Sequence, residues 1–237
     1  MFVEAIGSQV LSAATASALT ASAGAARWLL ASRLPARRTW RFSNVSGLEI
    51  VLDTDYIDTG HYQRPVAGLG QIRGLSLLIP SLTRAYRDIE FDKVWLSAHL
   101  PGDRIEQDLL VLGGPKNNEV AARILAAMEG ALPFRSADGI VWEGDAPRRA
   151  EQVDGSIVRD YGYIVRTSNP LNPARRVVLI GGASTYGTIA ASRWLAENGA
   201  DRSLPADVAI LVEASVVQGE HVSAPSLLRH APITAVQ

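Results

Sequence analysis

The sequence predicts an α/β fold: a Rossmann-like three-layer domain with a mostly parallel sheet, preceded by a long N-terminal helix. From residue 40 onward, short apolar runs that suit buried strands alternate with segments of helical periodicity, which supports the domain. The N-terminal helix is supported by 22 consecutive uncharged residues between Glu4 and Arg27. We therefore divide the chain into an Ala-rich helix with a basic linker (1–39) and the Rossmann-like α/β domain (40–237).

The N-terminal segment is rich in alanine, which has the highest helix propensity, so we predict a helix from Phe2 to Ser32. Its small residues recur every three or four positions and favour close packing on the main domain or on a second copy of the chain. The alternative is a weak membrane anchor, whose following arginines would keep the main domain in the cytoplasm. The arginines of residues 27–41 are interpreted as a solvated linker rather than a phosphate-binding patch.

Charge and cysteine content exclude several function classes. The chain has 23 Lys and Arg against 24 Asp and Glu, so no nucleic-acid partner is expected from its overall charge. It has no cysteine, which excludes disulfides, thiolate nucleophiles and Cys-ligated metal sites. A cysteine-free chain fits a reducing compartment, and we predict a cytoplasmic location.

The elements of the main domain follow from its hydrophobic pattern. Buried strands are predicted at 48–52, 94–96, 109–112, 177–180 and 207–217. Helices are predicted at 68–87, 117–129 and 187–198. The first helix has a kink or break predicted at Pro80. Its predicted buried face contains Leu69, Ile72, Leu75, Ile79, Leu82 and Tyr86. Residues 133–173 interrupt the alternation, and we interpret them as an antiparallel insertion or sheet-edge hairpin.

Two segments share the pattern strand–Gly-Gly–helix. The glycine pairs are Gly113–Gly114 and Gly181–Gly182. Glycine lets the backbone approach a ligand closely, and the following helix N-terminus presents N–H groups and a positive dipole to an anion. Neither segment matches a P-loop. Phosphate or nucleotide binding is therefore one interpretation, and tight turns that need glycine for steric reasons are the other.

Polar side chains follow the predicted strands and would meet at one edge of a parallel sheet. Asp53 and Asp55 follow the first strand, at a spacing that suits Mg²⁺ binding or acid–base chemistry. The alternative is that Asp53 is an ordinary strand-end residue. The other candidate ligand-binding side chains at this edge are His61, His99, Lys116, Asn117, Ser184 and Thr185. No ligand set for a metal is apparent, and no cofactor is indicated.

Three segments resemble a known family. Residues 110–118, 161–173 and 177–191 are similar to the Rossmann-like C-terminal domain of archaeal S-layer proteins and of related uncharacterised bacterial proteins. The resemblance covers roughly a third of the chain and implies an α/β fold. It implies no catalytic residues, and it indicates that such a fold also serves non-enzymatic surface roles.

The leading hypothesis is a binding module for a nucleotide or another phosphate-bearing small molecule. In it the four glycines allow close approach, Asn117, Ser184 and Thr185 hydrogen-bond the ligand, and Lys116 supplies charge. Asp53 or Asp55 would orient a ribose or a metal. A second hypothesis is a hydrolase of a phosphate ester or a nucleotide glycosidic bond, with Asp53 as nucleophile or base. A third is a scaffold protein whose N-terminal helix mediates self-association or membrane attachment.

Overall fold

The computed structural model describes residues 27–42, 45–92, 94–217 and 221–234. Its helices are α1 (Leu34–Trp40), α2 (Leu69–Ala85), α3 (Glu119–Ala127) and α4 (Thr185–Asn198). Its strands are β1 (Leu48–Leu52), β2 (Asp55–Asp58), β3 (Gln63–Val66), β4 (Val94–Leu96), β5 (Asp108–Leu112), β6 (Arg135–Ala137), β7 (Ile140–Glu143), β8 (Ala146–Arg148), β9 (Glu151–Val153), β10 (Ser156–Asn169), β11 (Asn172–Gly182), β12 (Val208–Val217), β13 (His221–Val222) and β14 (Ser226–Pro232).

One mixed sheet of nine strands organises the domain. Its order is β13-β12-β10-β11-β5-β1-β4, with β14 paired to β12 and β9 paired to β10. The neighbours β4, β1, β5 and β11 are parallel, whereas β10, β12 and β14 pair antiparallel. A separate antiparallel sheet contains β6, β7 and β8, and β2 and β3 form a hairpin. The parallel strands therefore occupy one half of the main sheet.

The predicted Rossmann-like three-layer domain with a mostly parallel sheet is wrong. Strands make up 39% of the described residues, the main sheet curls into a half-barrel, and the helices are few and short. The reason is the long hairpin of β10 and β11, which spans 14 and 11 residues and turns at 169–172. It places an antiparallel strand in the middle of the sheet, where only short strands at an edge or in an insertion were expected.

The parallel half of the sheet is buried on both faces. Leu110 and Leu112 of β5 pack with α2 and α4, whereas Leu109 and Val111 pack with α3. All four side chains are fully buried. An unbroken apolar strand is what a sheet covered on both faces requires, which explains why these strands were recognisable in the sequence.

The predicted buried face of α2 is correct at Leu82 and at Tyr86, which follows the helix, and wrong in the first turn. Leu69 and Ile72 are 61% and 48% exposed, whereas Gly70 and Gly74 are buried. A Cβ at Gly74 would lie 2.7 Å from Ser192 Oγ of α4, so the glycines let the two helices approach closely and select the buried face. Pro80 lies on the exposed side of an unbroken helix, where the carbonyl it leaves unbonded faces solvent.

The predicted helix from Phe2 to Ser32 lies mostly outside the described residues, and the self-association hypothesis that depends on it stays a prediction. Within the predicted basic linker, the structure instead has a π-helical turn at Leu29–Arg33 followed by α1, whose Trp40 is fully buried. No helix in the described part of the chain has the length and apolar character needed to cross a membrane.

A buried arginine ties α1 to the rest of the domain. Arg166 of β10 is 1% exposed, and its guanidinium donates hydrogen bonds at 2.7–3.3 Å to the carbonyls of Arg38, Thr39, Gly199, Pro205 and Ala206. Burial lowers the pKa of Arg166 to about 10. The carbonyls at the ends of α1 and α4 thus receive a cationic donor, which suits the negative end of a helix dipole.

Candidate functional site

The carboxyl ends of the parallel strands surround a polar cavity of about 260 Å³. Because β1, β5 and β11 run parallel, the loops that follow them meet at the same edge. Seven of the predicted site residues line this cavity: Asp53, Gly114, Lys116, Asn117, Gly182, Ser184 and Thr185.

Asp53 is the carboxylate of this cavity. It lies directly after β1 and is 7% exposed. Its Oδ2 accepts a hydrogen bond from Gln71 Nε2 at 2.6 Å, and its Oδ1 accepts one from the Gly68 N–H at 3.3 Å. Burial raises the pKa of Asp53, the N–H of Gly68 lowers it, and the nearby charge of Asp55 raises it. The result is a positioned carboxylate without a cationic partner among these contacts.

A hydrogen-bond network joins three of the loops at this edge. Thr54 Oγ1 and Ser97 Oγ lie 3.1 Å apart, and Ser97 Oγ donates to the Asn117 carbonyl at 3.4 Å. The Thr54 N–H also donates to the Asn117 carbonyl, at 2.9 Å. Thr54 and Ser97 are buried, so buried hydrogen bonds from the loops after β1 and β4 fix the backbone of the loop after β5.

The first glycine turn follows β5. Gly113 has a φ of +114°, a conformation that only glycine adopts without strain. A Cβ at Gly114 would meet nothing closer than 3.5 Å. The turn ends at Asn118, which is fully buried and caps α3: its Oδ1 accepts from the Ala121 N–H at 2.9 Å, and its Nδ2 donates to the Leu112 carbonyl at 3.0 Å. Lys116, between these points, is exposed to solvent.

The second glycine turn follows β11 and is packed much more tightly. A Cβ at Gly182 would lie 2.5 Å from the backbone nitrogen of Thr188. A Cβ at Gly181 would overlap the phenol of Tyr163, and one at Gly187 would overlap the carbonyl of Tyr161. Glycine is therefore required here because α4 rests directly on the backbone of β10 and β11.

A carboxylate of the protein already occupies the N-terminus of α4. Asp160 of β10 is fully buried, and its Oδ2 accepts hydrogen bonds from the Ser184 hydroxyl and the Gly187 N–H. Its Oδ1 accepts one from the Tyr161 N–H at 2.8 Å. Burial raises the pKa of Asp160, while these hydrogen bonds lower it. Asp160 thus takes the place that the sequence interpretation assigned to an anionic ligand.

The small sheet of β6, β7 and β8 closes the cavity on a further side. Ser136 of β6 and Gly139 in the turn after it line the cavity, and a Cβ at Gly139 would lie 3.1 Å from the Ala183 carbonyl. Tyr163 lies beneath the glycine turns and is fully buried. Burial raises its pKa to about 12. Its hydroxyl is therefore neutral over the physiological pH range.

Three predicted site residues lie elsewhere. Asp55 begins β2, where it is exposed and accepts a hydrogen bond from the Tyr56 N–H. His61 is exposed in the turn of the β2–β3 hairpin, and His99 is exposed after β4. None of the three lines the cavity, and the described residues contain no group of three His, Asp or Glu side chains arranged to hold a metal ion.

Sequence reasoning missed Gln71, Ser136 and Asp160. Gln71 is a polar residue on the buried face of α2, and a correct prediction of that face would have identified it. Asp160 follows Arg159 in β10, and this polar pair gave no local signal of a buried cap. Ser136 gave no local signal either, because the small sheet that contains it was not expected at this edge.

Comparison with protein families, curated proteins and solved structures gives no significant match to this chain. The arguments about function therefore depend on the geometry of the cavity itself.

Proposed function

We propose that the protein binds a phosphate-bearing small molecule, such as a nucleotide or a sugar phosphate, in the cavity at the carboxyl edge of β1, β5 and β11. The observation that supports this proposal is that Asp53, Lys116 and Thr185, from three separate loops, line one cavity. Small-molecule sites typically combine a concave surface with a few convergent polar groups of this kind.

Lys116 is the group that we assign to the phosphate. It is an exposed cation that lines the cavity, next to the first glycine turn. The second turn provides a wall instead, because Asp160 already accepts the Gly187 N–H of α4. An anion placed beside that helix N-terminus would be repelled by the Asp160 carboxylate.

Asp53 is the group that we assign to a ligand hydroxyl. Each carboxylate oxygen can accept two hydrogen bonds, and each oxygen of Asp53 receives one from Gly68 or Gln71. A hydroxyl can therefore donate to Asp53, whereas a phosphate dianion would be repelled. The ligand then has hydroxyl groups toward Asp53 and its phosphate toward Lys116.

Calorimetric titration of the full chain with ribose 5-phosphate, adenosine monophosphate and ribose tests this proposal. Lys116→Ala should weaken binding of the two phosphates about tenfold, because one charge-assisted hydrogen bond contributes about 1.5–3 kcal/mol. Arg123→Ala removes an exposed cation of α3 that does not line the cavity and should leave affinity unchanged. Equal affinity of the Lys116→Ala variant and the parent for both phosphates would overturn the assignment.

A hydrolase is the second candidate function, favoured by one observation. Burial raises the pKa of Asp53, and a carboxyl with a raised pKa in a cavity suits general acid or base chemistry. Phosphate release from ribose 5-phosphate and adenine release from adenosine monophosphate measure the activity. We expect Asp53→Asn to abolish turnover while Lys116-dependent binding remains, and no turnover by the parent chain would eliminate the hydrolase.

A further inference from the structure

A second, larger cavity adjoins the polar one. It has a volume of about 630 Å³ and lies between α3 and the small sheet of β6, β7 and β8. Pro115 and Ser136 line both cavities, so a molecule that binds beside Lys116 can extend directly from one into the other. The volume falls within the range of about 300–1,000 Å³ that is typical of small-molecule sites.

The lining of this larger cavity is mostly apolar. The large apolar side chains that line it are Leu125, Met128, Leu132, Phe134 and Trp142. They come from two independent units, α3 with the segment after it and the small sheet, so the cavity is a cleft between packed elements. A cleft of this kind stabilises an apolar group by removing its surface from water.

The arrangement of the aromatic rings favours a flexible chain over a planar base. The guanidinium of Arg135 lies over the Trp142 ring, 5.0 Å from its centroid. Phe134 packs against Tyr163 with 5.1 Å between ring centroids. One side of each ring already has a partner, which leaves less aromatic surface for stacking a nucleobase. The aliphatic side chains and the adaptable thioether of Met128 suit a hydrocarbon chain better.

We propose that the ligand is a phosphate ester of an apolar chain, with its phosphate beside Lys116 and its chain in the cleft between α3 and the β6–β8 sheet. This proposal rests on the proposed phosphate site and adds the chemical class of the group attached to the phosphate. A nucleotide would leave the cleft unused, whereas such an ester fills both cavities.

A series of alkyl phosphates tests the chain, each used below its micelle-forming concentration. Octyl phosphate should bind the full chain at least about 100-fold more tightly than ethyl phosphate, because six further methylenes leave water and part of that gain is offset by ordering the chain. Octyl phosphate should also bind more tightly than adenosine monophosphate. Equal affinity for ethyl and octyl phosphate, or tighter binding of adenosine monophosphate, would overturn the proposal that the ligand has an apolar chain.

Two neighbouring substitutions on α3 test whether the alkyl chain of the ligand lies in the cleft. Ala126 lines the cleft and Ala127 does not, although both are exposed. Ala126→Trp should weaken octyl phosphate at least tenfold and leave ethyl phosphate unchanged, whereas Ala127→Trp should change neither. Thermal unfolding of both variants verifies that they fold.

The outcomes separate the two proposals. If ethyl phosphate binding depends on Lys116 and octyl phosphate binds no more tightly, the phosphate site is supported and the proposed apolar chain of the ligand is overturned. Octyl phosphate binding that Ala126→Trp weakens but Lys116→Ala does not change overturns the phosphate site, and with it the ester.

Discussion

The two glycine turns have the same sequence pattern and different surroundings. In the first, a Cβ at Gly114 would make only ordinary contacts, Lys116 is exposed, and a neutral side chain, Asn118, caps the following helix. In the second, Gly182 touches the backbone of α4 and a buried carboxylate, Asp160, caps the helix. The first turn leaves a cation beside a cavity, whereas the second joins a helix to a strand hairpin.

This difference teaches that a glycine pair before a helix has two separate physical causes. A backbone with positive φ requires glycine at Gly113, and close helix packing requires it at Gly182. Both turns line the cavity, but only the first has an exposed cation there. The anion affinity of a helix N-terminus likewise depends on whether the protein supplies its own carboxylate, as Asp160 does for α4.

Alanine substitutions in the two turns should produce the largest contrast. Gly182→Ala places a Cβ 2.5 Å from a backbone nitrogen of α4, so the helix must shift, and we expect a loss of about 4 kcal/mol or more in the free energy of unfolding. Gly114→Ala meets only ordinary contacts and should lose less than about 1 kcal/mol. Urea denaturation measures both. Similar losses for the two variants would show that the turns do not differ as described.

The two helix caps should differ by a smaller amount. The hydrogen bonds to Asp160 come from the Ser184 hydroxyl and from backbone N–H groups, so the amide of Asp160→Asn would point one donor at another, and we expect a loss of about 2–3 kcal/mol. Asn118→Ala should lose about 1–2 kcal/mol, the usual range for a neutral cap. Urea denaturation at pH 7 compares them, and a larger loss for Asn118→Ala would contradict the role given to Asp160.

The buried strands of the parallel half and helices α2 to α4 were predictable from the sequence, whereas the short exposed strands and the arrangement of the sheet were not. A run such as 109–112 is buried on both faces, so its pattern is unambiguous. The pairing of β10 in the middle of the sheet depends on its contacts with β11 and β12, which local patterns do not encode. The first turn of α2 was misassigned because glycine contacts with α4 outweighed the larger side chains of Leu69 and Ile72.

The location of the candidate site was predictable in part, for a related reason. The parallel order of β1, β5 and β11 brings Asp53, Lys116 and Thr185 to one cavity, and strand ends are visible in the sequence. The positions of Gln71 and Asp160 depend on how α2 and β10 pack against these loops. Such contacts between distant segments have no local sequence pattern, so the supporting residues became apparent only in the structure.

Asp53→Asn should have the smallest effect on stability, in contrast to Asp160→Asn. Burial and the charge of Asp55 raise the pKa of Asp53 above its ordinary value of 3.8, so its ionised form is disfavoured in the folded protein. Removing that charge should change the free energy of unfolding at pH 7 by less than about 1 kcal/mol, because an Asn oxygen can still accept from Gln71. Urea denaturation at pH 7 measures this change.

The pH dependence of the stability difference between the parent chain and Asp53→Asn shows whether ionised Asp53 destabilises the folded protein. Because its folded pKa is raised, its contribution to stability is fully present below pH 3.8 and is lost as the pH rises through the folded pKa. The stability of the parent chain relative to Asp53→Asn should therefore fall as the pH rises above 3.8. A rise over the same range would mean that ionised Asp53 stabilises the fold as a cap does. A fall in this relative stability, together with weaker binding of ribose 5-phosphate by Asp53→Asn, indicates that the Asp53 carboxylate serves ligand binding and not stability.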